Sequence, residues 1–182
     1  MPKTHKTAVV IIPPENAWPP IQTIRDEHDR KVHRWMPHIT LIYPFCSLAD
    51  FPKMAEQISE YCRDLKSFEL SLTSFSSFSH GKGHFTFWLK PEPNETLLDL
   101  HAAIWTAIPF DEDFAPRIGK FTPHLSVGQV RGRTQRDELV AKFQHDWQPL
   151  SFSVASVHLI ARKDPPNDTF EIVETIAFGR DV

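Results

Sequence analysis

No apolar run in the 182-residue chain is long enough to cross a membrane. The run nearest the N-terminus, Ala8-Val9-Val10-Ile11-Ile12, is stopped by Pro13-Pro14. It is too short for a signal core and reads as a strand, so a cytosolic or nuclear protein is expected. Cysteine is scarce: Cys46 and Cys62 cannot make a disulfide framework and are expected to be buried free thiols. An excess of positive charge is also lacking. The formal net charge of −3 excludes a broad nucleic-acid coat, though not a local cleft that grips one phosphate or a short RNA end. Proline, by contrast, is plentiful at 16 residues, and the apolar periodicity between prolines is intact, so they mark turns and not disorder. Apolar and charged fractions of 41% and 24% are those of an ordinary globular chain with room for one domain or two small lobes sharing a core.

What is present is one short pattern written twice. Pro37-His38-Ile39-Thr40-Leu41 and Pro123-His124-Leu125-Ser126-Val127 both read Pro-His-apolar-hydroxyl-apolar. Each alternates like a strand with one wet face, so His38 and Thr40 share a side, as do His124 and Ser126. About half the chain separates the copies, which fits a duplicated half-domain donating one copy each. Facing strands would gather two imidazoles and two hydroxyls. That set suits a phosphate ester, with acid/base groups whose reference pKa is ~6.5 and neutral donors for phosphoryl oxygens.

These two motifs resemble the paired His-x-Thr/Ser-x signature of the 2H phosphoesterase superfamily. That group includes RNA 2′,3′-cyclic phosphodiesterases (2′-5′ RNA ligases) and 2′,5′-phosphodiesterase domains. The similarity extends to the strand at 7–12, the segments 35–45, 83–90 and 121–129, Arg162 in a late strand, and the closing Ile176-Ala177-Phe178-Gly179. It implies an α+β fold: two pseudo-symmetric lobes of mainly antiparallel sheet, helices outside, and a central cleft with one motif strand on each wall.

The periodicity is consistent with that outline. Strands are expected at 7–12, 38–45, 68–78, 85–89, 152–161 and 170–178, and helices from Pro19 to about 33–35 and at 49–65, 96–108 and 135–145. The first helix would bury Ile21, Ile24 and His28 and turn Arg25, Asp26, Asp29 and Arg30 to solvent. Residues 79–84 read as a Gly-Lys-Gly hairpin and 111–117 as a loop, with Gly119 leading into the second motif. No linker separates two independent domains, so 1–182 is expected to be a single bilobal unit.

Hydrolysis of a 2′,3′-cyclic phosphate needs a base for water, an acid for the leaving oxygen, and donors for the other phosphoryl oxygens. His38 and His124 are the candidate acid/base pair, and Thr40 and Ser126 the candidate phosphate ligands. The family analogy implies His124 as base and His38 as acid in ring opening, with the roles exchanged in reverse 2′-5′ ligation. Two histidines on separate strands fall short of a zinc ligand set, so no metal and no cofactor are expected. Tyr43 and Gln129 each follow their motif hydroxyl by three residues. In some family members a tyrosine at that offset touches the phosphate, and here a bulge would be needed to turn it inward. Phe45 and Phe121 are candidates for stacking a base. His80, Lys82, His84, Arg34, Arg131 and Arg133 are weaker candidates for backbone phosphates, and His101 and His158 carry no assignment.

The expected partner is an RNA end, an oligonucleotide or a cyclic nucleotide, met by a monomer away from membranes. Three substrates compete: 2′,3′-cyclic ends, 2′,5′-oligoadenylates, and ADP-ribose cyclic phosphate. A non-catalytic nucleotide- or RNA-binding module is the alternative of a different class.

Overall fold

The protein is described by a computed structural model over residues 3–108 and 121–179. The expected loop at 111–117 and the Gly119 lead-in lie outside the described residues. Among the described residues, two four-stranded antiparallel sheets carry four α-helices. The first sheet has the order β2 (Ile39–Ile42), β1 (Thr7–Ile11), β7 (Ser156–Ala161), β8 (Glu171–Ala177). The second runs β5 (Leu125–Arg131), β4 (His84–Glu92), β3 (Phe68–Ser79), β6 (Leu150–Val154). Both motif strands, β2 and β5, are therefore edge strands.

The order strand, helix, motif strand, helix occurs twice. It is β1, α1 (Trp18–His28), β2, α2 (Phe51–Cys62), and then β4, α3 (Asn94–Ala107), β5, α4 (Arg133–Asp146). Each lobe holds one sheet with one motif strand, but neither lobe is a contiguous half of the chain. The first sheet is completed by β7 and β8 from the C-terminal end, and the second by β3 from the N-terminal half and by β6. One continuous core runs beneath both sheets, from Val9 and Ile39 through Leu70 and Phe87 to Leu125 and Val127. A smaller cluster of Ala8, Val10, Ile160 and Phe170, with Trp35 and Met36 against it, covers the other face of the first sheet. That is why all five residues of β1 are buried and why its sequence does not alternate.

Local sequence sets the helices. Prolines sit in the first turns of α1 and α2, where the missing N–H costs nothing. Phe51, Met54, Ile58 and Cys62 recur at helical spacing and form the buried face of α2. Among the described residues, no helix is long and apolar enough to cross a membrane. Cys46 and Cys62 are free and buried, and burial pushes their thiols up to about 12 and about 11.

Three expectations change. α1 stops at His28, because Asp29 turns extended and its carboxylate accepts from the Lys31 N–H, starting a turn. The strand expected at 152–161 is two strands in different sheets. Phe152 and Val154 point inward, then the inward phase slips by one to Val157 and Leu159, and the chain changes sheets at Ala155. Arg25 and Asp29 are buried rather than solvated.

Candidate active site

The motif strands come from different sheets yet lie against one another, Cα to Cα within 8 Å. Each carries the same irregularity. In β2, Val10 faces Thr40 and Val9 faces Ile42, leaving Leu41 as an extra residue. In β5, Trp88 faces Ser126 and Phe87 faces Gly128, leaving Val127 as the extra residue. A bulge reverses the alternation beyond it. Tyr43 and Gln129 thereby return to the side of Thr40 and Ser126.

The two histidines are held alike. His38 Nδ1 lies 2.7 Å from the Met36 carbonyl and His124 Nδ1 lies 2.8 Å from the Thr122 carbonyl. A carbonyl only accepts, so Nδ1 carries the hydrogen in both rings and Nε2 is left with its lone pair. The prolines between carbonyl and ring bias Met36 and Thr122 to extended backbone, which holds those carbonyls in reach. Each ring also rests on aromatics. His38 stacks on Trp35 at 4.6 Å, and Trp35 stacks on Phe170. His124 meets Phe78 edge-on at 4.9 Å and Trp88 at 5.8 Å. Sequence reasoning missed Trp35, Phe78 and Trp88, for which only the aromatic richness of the flanking strands was a signal.

Burial lowers the pKa of both rings: His38 falls to about 4, helped by the positive charge of Arg25, and His124 also falls below its ordinary value. A proton on His124 is felt at His38 and lowers it further, so the two rings interact across the gap. At neutral pH the free protein holds two neutral imidazoles, unlike the near-neutral titration that the sequence suggests. The Thr40 and Ser126 hydroxyls are half-buried, and neither has a hydrogen-bond partner among the described residues.

A cleft of about 380 Å³ opens between the lobes, lined by Thr40, Tyr43 and His124 with Leu41 and Ile42, and closed by His101 and Trp105 of α3 and by Phe121 ahead of the second motif. Tyr43 is 42% exposed, and its hydroxyl donates to the His5 carbonyl at 3.2 Å. His101, unassigned from sequence, is part of this wall. It stacks on Phe121 at 3.9 Å and accepts from Trp105 Nε1 at 2.8 Å, and burial lowers its pKa to about 4. The i, i+4 spacing of His101 and Trp105 was the available signal.

Other candidates lie elsewhere. Phe45 is fully buried against Phe51 and cannot meet a base. Arg131, opposite His84, ends β5 about 20 Å from its start at strand rise. Arg133 and the hairpin of His80 and Lys82 lie at that same far end, where Gly132 N–H donates to the Gly83 carbonyl. Arg34 pairs with Asp168. Arg162 follows the last residue of β7 and lies over the Phe170 ring. His158 sits between the hydroxyls of Ser156 and Thr175. A surface hollow of about 780 Å³ between α2 and β8 contains no histidine. Among the described residues no three His, Cys, Asp or Glu side chains gather as a metal requires.

The sequence profile of the 2′-5′ RNA ligase superfamily matches residues 13–166, most of the chain and both motifs. The chain belongs to the 2′-5′ RNA ligase superfamily. Similar proteins include a provisionally named phosphoesterase of Bacillus licheniformis, 24% identical over 176 residues, covering 96% of this chain and 99% of that protein. A second, from Geobacillus kaustophilus, is 26% identical over 179 residues and covers 96% of each. The fold is that of TT0787 of Thermus thermophilus, with TM-score 0.65, 17% identity, 97% of this chain and all of the other covered. E. coli LigT complexed with 3′-AMP gives TM-score 0.62 at 15% identity, covering 97% of this chain and 99% of LigT.

Proposed function

We propose that this member of the superfamily is a metal-independent phosphodiesterase that opens 2′,3′-cyclic phosphates at RNA ends or in cyclic nucleotides. The observation that carries the reading is the matched pair of ring clamps. Both imidazoles are locked with Nδ1 on a backbone carbonyl, so each offers Nε2, and each has an unpartnered hydroxyl two residues on. A tautomer lock of this kind serves a group that must hand a proton in one direction.

In the proposed reaction His124 Nε2 takes a proton from water as the water oxygen bonds to phosphorus. The phosphorus–ribose oxygen bond breaks on the opposite side, and the leaving oxygen takes a proton from His38 Nε2. A phosphomonoester and a free ribose hydroxyl result. Thr40 and Ser126 donate to the non-bridging oxygens, and Tyr43 adds a contact when its hydroxyl leaves the His5 carbonyl for the phosphate. In the free protein the low pKa of His38 keeps its acid form scarce, and a bound anionic diester raises that pKa toward the imidazolium that must act as acid. His124, kept neutral by burial, is ready as base.

Structures of LigT hold 3′-AMP, phosphate, NADP+ and ATP, which supports a nucleotide or RNA-end ligand for this chain. We propose a monomer, a single bilobal domain, acting in the cytoplasm. Incubation with a panel of 2′,3′-cyclic nucleotides and 2′,5′-linked oligonucleotides in EDTA tests the reading. Ring opening of the cyclic nucleotides is expected. Turnover of the 2′,5′-linkages alone would move the substrate assignment, and tight binding with no turnover would make the chain a binding module.

A further inference from the structure

A largely buried polar chain links the segments that carry the two motifs, and none of its residues lines the cleft. Arg25, on α1, is 1% exposed and Asp29 is 8% exposed. Arg25 Nε and Nη2 each lie 3.0 Å from Asp29 Oδ2. Arg25 Nη2 also donates to the Trp35 carbonyl at 2.7 Å, and Trp35 is the ring on which His38 stacks. On the other side, Asp29 Oδ1 accepts from Gln129 Nε2 at 3.0 Å, and Gln129 Oε1 accepts from the Arg30 N–H at 3.1 Å. Gln129 belongs to β5, past the bulge that follows Ser126. The chain of contacts thus runs from His38 through Trp35, Arg25 and Asp29 to Gln129 and the strand that carries His124.

The approach that permits it is tight. A Cβ on Gly128 would lie 2.4 Å from the Phe87 ring and 2.7 Å from the His28 Cβ, so α1 docks directly on bare β5 backbone. An ion pair buried at such a place gives up hydration that apolar packing would not, so close packing alone is a poor account of it. What the polar chain supplies is direction: both oxygens of Asp29 and both polar atoms of Gln129 are engaged at fixed angles.

We propose that Gln129, anchored by the Arg25–Asp29 pair, is a positioning residue that sets the separation of the two motif strands and hence of the two Nε2 atoms. This rests on the two-histidine reading above for its catalytic consequence, though not for its geometry. In-line transfer between two fixed rings tolerates little misplacement, so a looser gap costs turnover more than binding.

Gln129→Leu keeps the side chain's bulk and removes both hydrogen bonds. The variant is compared with the wild-type full chain for kcat, KM, melting temperature and interlobe distance. The distance is read by pulsed electron resonance between spin labels at Glu69→Cys on β3 and Glu171→Cys on β8, both exposed positions. The expected result is a kcat at least tenfold lower on a 2′,3′-cyclic nucleotide, a KM within threefold, a melting temperature within a few degrees, and a broadened or shifted distance distribution. An unchanged distribution overturns the proposal, whatever happens to kcat, because Gln129 would then act on the ligand or not at all. If the wild type turns over no substrate in the panel, the functional reading fails, and the distance measurement still decides whether Gln129 sets the gap.

Discussion

At the scale of single residues, the account depends on where each proton sits. The proposed reaction needs His124 neutral and His38 protonated. His38 in the free protein lies at about 4 and His124 below its ordinary ~6.5. Above pH 6.5 the base is already neutral, so further rise only removes the proton from the acid. We therefore expect kcat/KM, which reports the free enzyme, to fall about tenfold per pH unit between pH 6.5 and 8. A kcat/KM that is flat or rising over that range would contradict the assignment. The hydroxyls make a second case. Thr40→Val and Ser126→Ala each remove one neutral donor from the developing charge, and each should lower kcat by about 10²-fold with little change in melting temperature. A loss confined to KM would mean that the hydroxyl binds ground and transition states alike. The histidines and hydroxyls were legible in the sequence because the pattern occurs twice. His101 was not, since one histidine among apolar residues at helical spacing reads as ordinary core. Arg25 and Asp29 read as part of the solvated helix face, because their burial depends on β5, about a hundred residues away.

At the scale of elements, the bulges and the docking of α1 matter most. The bulges at Leu41 and Val127 decide where the side chains beyond the hydroxyls go: Tyr43 to the cleft wall and Gln129 onto Asp29. The offset of Tyr43 pointed to the first of these, while nothing local marked the second. Gly128 lets α1 meet β5. Gly128→Ala forces its new methyl against Phe87 and the His28 Cβ, and should destabilise the fold by about 1–3 kcal/mol. Urea denaturation measures this directly, and an unchanged midpoint would show that α1 can back away at no cost. The sheet change at Ala155 was written in the sequence as a one-residue slip of the apolar phase. Because Phe152, Val154, Val157 and Leu159 are all apolar and closely spaced, the slip is easily read through as one strand.

At the scale of the whole molecule, two edge strands from two sheets face each other, and a duplicated order of elements puts them there. The duplication was visible in the motif spacing. The exchange of β3 and β7 between the sheets was not, because long-range pairing leaves no local mark. The proposed reaction needs both His38 and His124 to act across one gap between the lobes, without a metal. The most direct test is turnover of a 2′,3′-cyclic nucleotide in EDTA by the wild type, His38→Ala and His124→Ala, with melting curves for all three. Ring opening by the wild type at undiminished rate in EDTA is expected, with a loss of at least about 10²-fold in each variant and the fold intact. Substantial activity retained by either folded variant, or abolished by the chelator, would contradict it.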